Sequence, residues 1–177
     1  MSTINNSNSD KFEIIFSNIP QPKERTDKLN MEVFHNFTKS VTLPDLSIET
    51  SKTSFGNMVQ TNVVQKYNEN LGQLTIEFFV DEDFENYKTL FDWIHSIRSG
   101  CPTQGAFSVT DSKIDNVMIK MLDNQKRMTC MLSFTKCLLI SLSSLNLAFG
   151  SSENLVFSAQ FEFEDFTVKK TKKILNN

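Results

Sequence analysis

The sequence has few of the residues that most often carry chemistry. It contains 2 histidines and 3 cysteines in 177 residues. His35 and His95 stand in a strand-like and a helix-like segment, without clustered Cys, His or carboxylate partners, so neither a metal centre nor a histidine general base is expected. Cys101, Cys130 and Cys137 are odd in number and show no CxxC or Cys/His spacing. That suits small buried side chains in a reducing compartment better than a disulfide framework. The triplet Asp81-Glu82-Asp83 lacks the glycine and the spaced oxygens of a calcium loop, and reads as a helix cap. GxGxxG, GxxxxGK[ST] and GxSxG are all missing, which leaves phosphate cradles and a nucleophile elbow without support. The expectation is a protein without catalytic residues, cofactor or metal.

Long apolar runs are also missing. None approaches the roughly 20 residues of a membrane span, and Met1–Asp10 has neither the basic nor the apolar block of a signal peptide. Neither a membrane anchor nor export by that route is expected. With 18 basic and 21 acidic side chains the formal charge is −3, and no Lys/Arg stripe forms. Tight binding to a phosphate backbone is therefore not expected.

Phenylalanine is what the chain has in excess, 16 against 2 Tyr and 1 Trp. Its size and fit to pleated, half-buried surfaces point to a β-rich protein or a large interface. Apolar residues at 39% and charged residues at 22% suit one folded domain. The polar, Asn/Ser-rich residues 1–10 read as a flexible leader, 11–168 as the domain, and 169–177 as a solvated basic tail.

Along the chain, Lys11–Phe16 and Met31–Val41 read as strands, with prolines closing each. Leu46–Met58 is polar apart from Phe55 and suits a long hairpin arm. An isolated aromatic in such a segment makes better sense at an interface than in a core. Val59–Tyr67 and Gln73–Val80 then read as a hairpin about a turn at Asn68–Gly72, the second strand alternating Leu74, Ile76, Phe78 and Val80 with polar residues. The period next changes from two to about 3.6, predicting a helix over Asp83–Ser99 whose packing face is Phe84, Tyr87, Phe91 and Ile94. Acidic residues 81–83 cap its start, Arg98 lies near its end, and Gly100 and Pro102 stop it. Ile114–Met121, Met128–Ile140 and Leu155–Val168 complete the strands, the last with Leu155, Phe157, Ala159, Phe161 and Phe163 on one face. Strands about a single helix in this order predict a mainly β fold, an antiparallel barrel or sandwich with one packing helix.

This order of elements resembles the tail-tube family of contractile-tailed phages, which is similar in fold to the tube proteins of type VI secretion and of contractile bacteriocins. The resemblance runs from about Phe12 to Val168. It rests on the opening strand, Val41-Thr-Leu-Pro-Asp-Leu46 before the arm, Leu74–Val80, the helix ending in Asp92-Trp93, and the closing strand Phe157–Asp165. The polar stretch between Pro20 and Met31 and the basic tail depart from a plain tube subunit, and Val80–Tyr87 looks at least as much like an initiator-type tube domain.

The resemblance implies homo-hexameric rings with a continuous inner barrel, stacked through the arm, conducting DNA without specific binding and meeting adjacent tube rings, baseplate or sheath proteins in a virion tail. It implies inter-ring contacts at Ser51, Lys52, Thr53, Ser54 and Phe55. It also implies an acidic channel lining of Thr75, Glu77, Gln160, Glu162 and Glu164. A tail-completion or terminator ring shares the fold. A monomeric or dimeric β-sandwich binding module, with Phe55 on a recognition loop, and a hydrolase with a dispersed site are the alternatives from other classes.

Overall fold

A computed structural model describes residues 10–17, 19, 31–45, 50–56, 58–63, 72–99, 112–150 and 153–171. Residues 1–9 of the expected leader, Cys101, and the helix-stop residues Gly100 and Pro102 lie outside them. In chain order the elements are β1 (Phe12–Phe16), α1 (Met31–Asn36), β2 (Thr38–Thr42), β3 (Thr50–Phe55), β4 (Met58–Val63) and β5 (Leu74–Phe79). Then follow α2 (Glu85–Ser99), β6 (Ile114–Leu122), β7 (Met128–Leu142), β8 (Val156–Glu162) and β9 (Asp165–Lys170).

Seven strands form one antiparallel sheet in the order β1-β6-β7-β8-β5-β2, with β9 also on β7. It folds into two layers because β7 belongs to both. Along one edge, residues up to Cys137 pair with β6. Along the other edge β9 pairs with Cys130–Thr135, and β8 takes over at Leu138. The bend lies at Lys136, whose φ of +53° shifts the inward-facing set from Leu132 and Phe134 to Cys137 and Leu139. The run read as one strand, Leu155–Val168, is likewise divided at Phe163-Glu164 into β8 and β9. β9 continues through Lys169 and Lys170, which pair with Met131 and Cys130, so the basic tail does not begin at Lys169.

Period-two alternation puts Ile14, Phe16, Val117, Ile119, Leu132 and Phe134 of one layer against Leu74, Ile76, Phe78, Phe157, Ala159 and Phe161 of the other. The phenylalanines knit the layers: Phe16 lies 6.2 Å from Phe161 and 6.4 Å from Phe78, and Phe34 of α1 sits 5.7 Å from Phe16 and 5.8 Å from Phe78. Each fully buried side chain of this size contributes about 1.5–3 kcal/mol through burial. Among the described residues the hydrogen-bonded sheet is not a closed barrel, since β1 and β2 are both edges. They flank an open cleft of about 650 Å³, lined by Phe12, Ile14, Ile119 and Met121 from one side and Val41 and Leu43 from the other.

Three expectations are corrected. The start of the segment read as a strand from Met31 is the short helix α1, whose Phe34 is fully buried, so among the described residues two helices and not one pack on the sheets. The described part of Val59–Tyr67, up to Val63, is not the partner of Gln73–Val80. β4 pairs with β3, Phe55 facing Met58 across a two-residue connection that includes Gly56 at φ +59°, while β5 pairs with β2 and β8. Residues 64–71, with most of the expected turn, lie outside the described set.

The third correction concerns the helix face. The centre of the buried stripe of α2 is Asn86, Thr89, Leu90 and Trp93, with Tyr87 and Ile94 at its margin, whereas Phe84 and Phe91 are 42% and 45% exposed. Phe91 precedes Trp93 by two positions, which on a 3.6-residue turn puts it on the opposite side. Phe84 precedes the helix at φ +58°. Trp93 is fully buried and its indole N–H donates to the Ser112 carbonyl at 3.0 Å. The helix start is capped as expected, by Asp81. Its carboxylate accepts from the backbone N–H of Glu85 at 3.1 Å and of Asn86 at 2.9 Å.

Candidate assembly surfaces

With Leu74, Ile76, Phe78, Phe157, Ala159 and Phe161 turned inward, β2, β5, β8 and the end of β7 present an outer face built in rows, polar except for the Phe79/Val156 pair at one end and Leu138 opposite Glu162 at the other. One row is Thr42, Thr75, Gln160 and Ser141, paired strand to strand, and the next holds Ser40, Glu77 and Ser158. Ser143 extends the second row, donating its backbone N–H to the Ser158 carbonyl at 2.8 Å and accepting the Ser158 N–H on its hydroxyl at 2.9 Å. Thr75, Glu77 and Gln160, three of the expected channel residues, thus share one surface.

Its charge differs from the acidic expectation. Glu77 accepts from the Ser40 hydroxyl at 2.8 Å and pairs with Lys39 at 3.4 Å. The Ser40 bond, then Lys39, hold its carboxyl below the usual glutamate range. Glu162 is exposed at the end of β8, facing Leu138. Glu164 lies apart, at the corner between β8 and β9, where Lys113 at 2.5 Å lowers its pKa. There Lys136 pairs with Asp115 at 2.6 Å, and that bond raises the Lys136 pKa. Hydroxyl and amide groups, and not free carboxylates, dominate the rows.

The layer is open at both ends. One end is β2, which among the described residues bonds only to β5. The other is Leu138–Leu142 of β7, whose β6 side carries no strand among the described residues. The edges run in opposite directions, because each pair between them is antiparallel.

The arm is a two-stranded sheet of its own, β3 and β4 pairing only with each other. At its base Gly72 comes so close to Pro44 that a Cβ there would lie 2.8 Å from the proline Cβ, and φ is +47°. Both facts demand glycine where the chain leaves and rejoins the sheet. Ser51, Lys52, Thr53 and Ser54 are exposed on β3, as their proposed contact role requires. The Phe55 backbone pairs with Met58, but its side chain lies outside the described residues. Beside Gly56, Met58 and Val59 are exposed.

A further apolar feature was missed in the sequence. In the β7–β8 connection Leu147 and Phe149 are exposed, beside an open cavity of about 660 Å³ lined by Asn146–Phe149 and Glu153–Val156. The signal was the one used for Phe55, isolated large apolar side chains in a Ser/Asn-rich stretch. Among the described residues no group of three or more His, Cys, Asp or Glu could hold a metal, and no helix is long and apolar enough to cross a membrane.

The described residues thus form an antiparallel two-layer body with a separate two-stranded arm and a hydroxyl-rich layer with open edges. Residues 7–169 match the family described as phage tail tube protein, and the chain belongs to that family. No curated protein matches the sequence. Its shape is similar to the tube-terminating cap of the anti-feeding prophage, at 12% identity over 97% of this chain and 95% of the other, with a TM-score of 0.64. It is also similar to the sheath/tube terminator of an extracellular contractile injection system in the extended state, at 14% identity over 95% and 99% of the two chains, TM-score 0.64. The sheath–tube complex of such a system gives 16% identity, 91% and 89% coverage and a TM-score of 0.60. At these identities the likeness is one of fold.

Proposed function

We propose that the chain forms homo-hexameric rings of a tail tube, with Thr75, Glu77, Gln160, Glu162 and Glu164 toward the channel and DNA passing without specific contacts. The observation that carries this reading is the pair of open, oppositely directed edges of the β2–β5–β8–β7 layer. Setting β2 of one copy beside Leu138–Leu142 of the next continues the antiparallel alternation, and closing the series removes every edge of that layer. The hydroxyl-rich rows then face water in the lumen. Lys39 is already paired with Glu77, so the wall offers little to hold a phosphate.

In this reading residues 11–168 are the single tube domain, and Ser51, Lys52, Thr53, Ser54 and Phe55 touch the adjacent ring. Sheath or baseplate proteins complete the contacts of a virion tail assembled in the host cytoplasm, and the chain has no catalytic role. Solved proteins of this shape serve as tubes and as tube terminators. The proposal is accordingly for a tube-fold ring, its place set by what stacks on it. Negative-stain imaging of the purified protein, alone and with tail components, tests it. Rings about as wide as a tail core are expected, and a protein that stays monomeric or dimeric throughout would falsify the reading.

A further inference from the structure

The strand register fixes where the two exposed apolar features lie relative to each other. The arm leaves the layer beyond Thr42 and returns before Leu74, beside Thr75 and Phe161. The β7–β8 connection instead adjoins the far end of β5, where Phe79 pairs with Val156 and the Val80 N–H donates to the Leu155 carbonyl at 2.9 Å. The arm and the Leu147/Phe149 loop therefore stand at opposite ends of the layer, about 17 Å apart along β5 at roughly 3.4 Å per residue. Within the layer, the register keeps the bases of the two features at opposite ends of β5.

Their surfaces match in kind. The arm exposes Met58 and Val59, and the loop exposes Leu147 and Phe149 beside an open cavity. Lys52 is the charged side chain on the described residues of the arm, and Glu153 is the charged one among the described residues lining the cavity, of opposite sign. Apolar groups left in water at both ends of one subunit suit a head-to-tail contact, which propagates as a filament because donor and acceptor surfaces differ.

We infer that the β7–β8 loop, through Leu147 and Phe149, is the acceptor for the arm tip of a second copy of this chain, with Met58 and Val59 as the inserted groups. The inference rests on the ring reading and adds to it the partner surface of the arm. Flexible thioether and branched side chains against an exposed aromatic make a compact apolar centre rimmed by Asn146, Asn154 and Glu153.

The test is a photo-crosslinking amino acid placed at position 58 of the full chain, with purified assemblies irradiated and the adducts mapped by mass spectrometry. Adducts between position 58 and residues 146–156 of another copy are expected. In parallel, Phe149→Ser should leave thermal unfolding unchanged, because the ring is exposed, and should leave rings visible while reducing stacked rings at least tenfold. Stacks whose position-58 adducts map elsewhere, or that persist in Phe149→Ser, overturn this inference and leave the ring reading standing. Rings that never stack do the same, whereas the absence of rings removes both.

Discussion

Asp81 and Asn86 hold each other's backbone at the start of α2. The Asn86 N–H donates to the Asp81 carboxylate at 2.9 Å, and the Asp81 N–H approaches the Asn86 side-chain carbonyl at 3.4 Å. Asn86 also donates its amide to the Phe79 carbonyl at 2.7 Å, tying the helix start to the end of β5. Asp81→Ala should cost about 1 kcal/mol, as for a lost helix cap. Asn86→Ala should cost about 1–3 kcal/mol, since it removes a buried donor. In urea titrations the double variant should lose less than the sum of the two, because they share one bonded unit. Strict additivity would show the two acting independently.

The rotated helix face gives a paired prediction. Trp93→Ala removes a fully buried ring and its bond to Ser112, and should cost about 3–5 kcal/mol. Phe91→Ala should cost clearly less, as its ring is 45% exposed and stacks only loosely between Tyr87 at 6.4 Å and His95 at 5.8 Å. Equal losses in denaturant midpoint would return Phe91 to the core.

How much of the architecture was legible follows from the same comparison. Gln73–Val80 and Phe157–Phe163 were readable because one face is dry and the other wet, so alternation is written directly in the sequence. The existence of α2 was readable too. Its face was not, because Asn86 and Thr89 are buried at the centre of the stripe and count as polar in any period search, Asn86 being tolerated there through its hydrogen bonds. In α1 the β-branched and aromatic residues mislead over a six-residue helix, too short to show a period and held by the docking of Phe34 on Phe16 and Phe78. Strand partnership is a long-range property. Nothing local distinguishes β4 paired to β3 from β4 paired to β5. Thr75, Glu77 and Gln160 share one face and Ser51–Ser54 are exposed on the arm, but what either surface meets is not written in the pattern of a single chain.

Cys137 should be chemically silent. It is fully buried, and burial pushes its thiol up to about 12, so almost none is thiolate at neutral pH. Treatment of native protein with iodoacetamide at pH 8, read by peptide mass spectrometry, should modify the partly exposed Cys130 well before Cys137. Labelling of Cys137 should begin only with denaturant. Comparable native rates would contradict the burial of its side chain.

The Ser40–Glu77–Lys39 group predicts a pH effect with a definite sign. Because the folded pKa of Glu77 is lowered, its contribution is fully present above the usual glutamate value of about 4.3 and is lost as pH falls through the lower folded value. Ser40→Ala should therefore melt below wild type at pH 7, and the gap should narrow as pH falls below about 4.3. A gap that widens in acid would mean that Ser40 acts through something other than the carboxylate.

β7 has a mechanical consequence. Met128–Leu142 is one unbroken strand serving both layers, and β8 and β9 run beside it along the same edge, with the bend at Lys136. Load applied to one layer is thus handed to the other along two neighbouring peptide backbones, not only across side-chain contacts. Shear between the layers must first break ladder hydrogen bonds at that bend, so the two layers yield as a single piece.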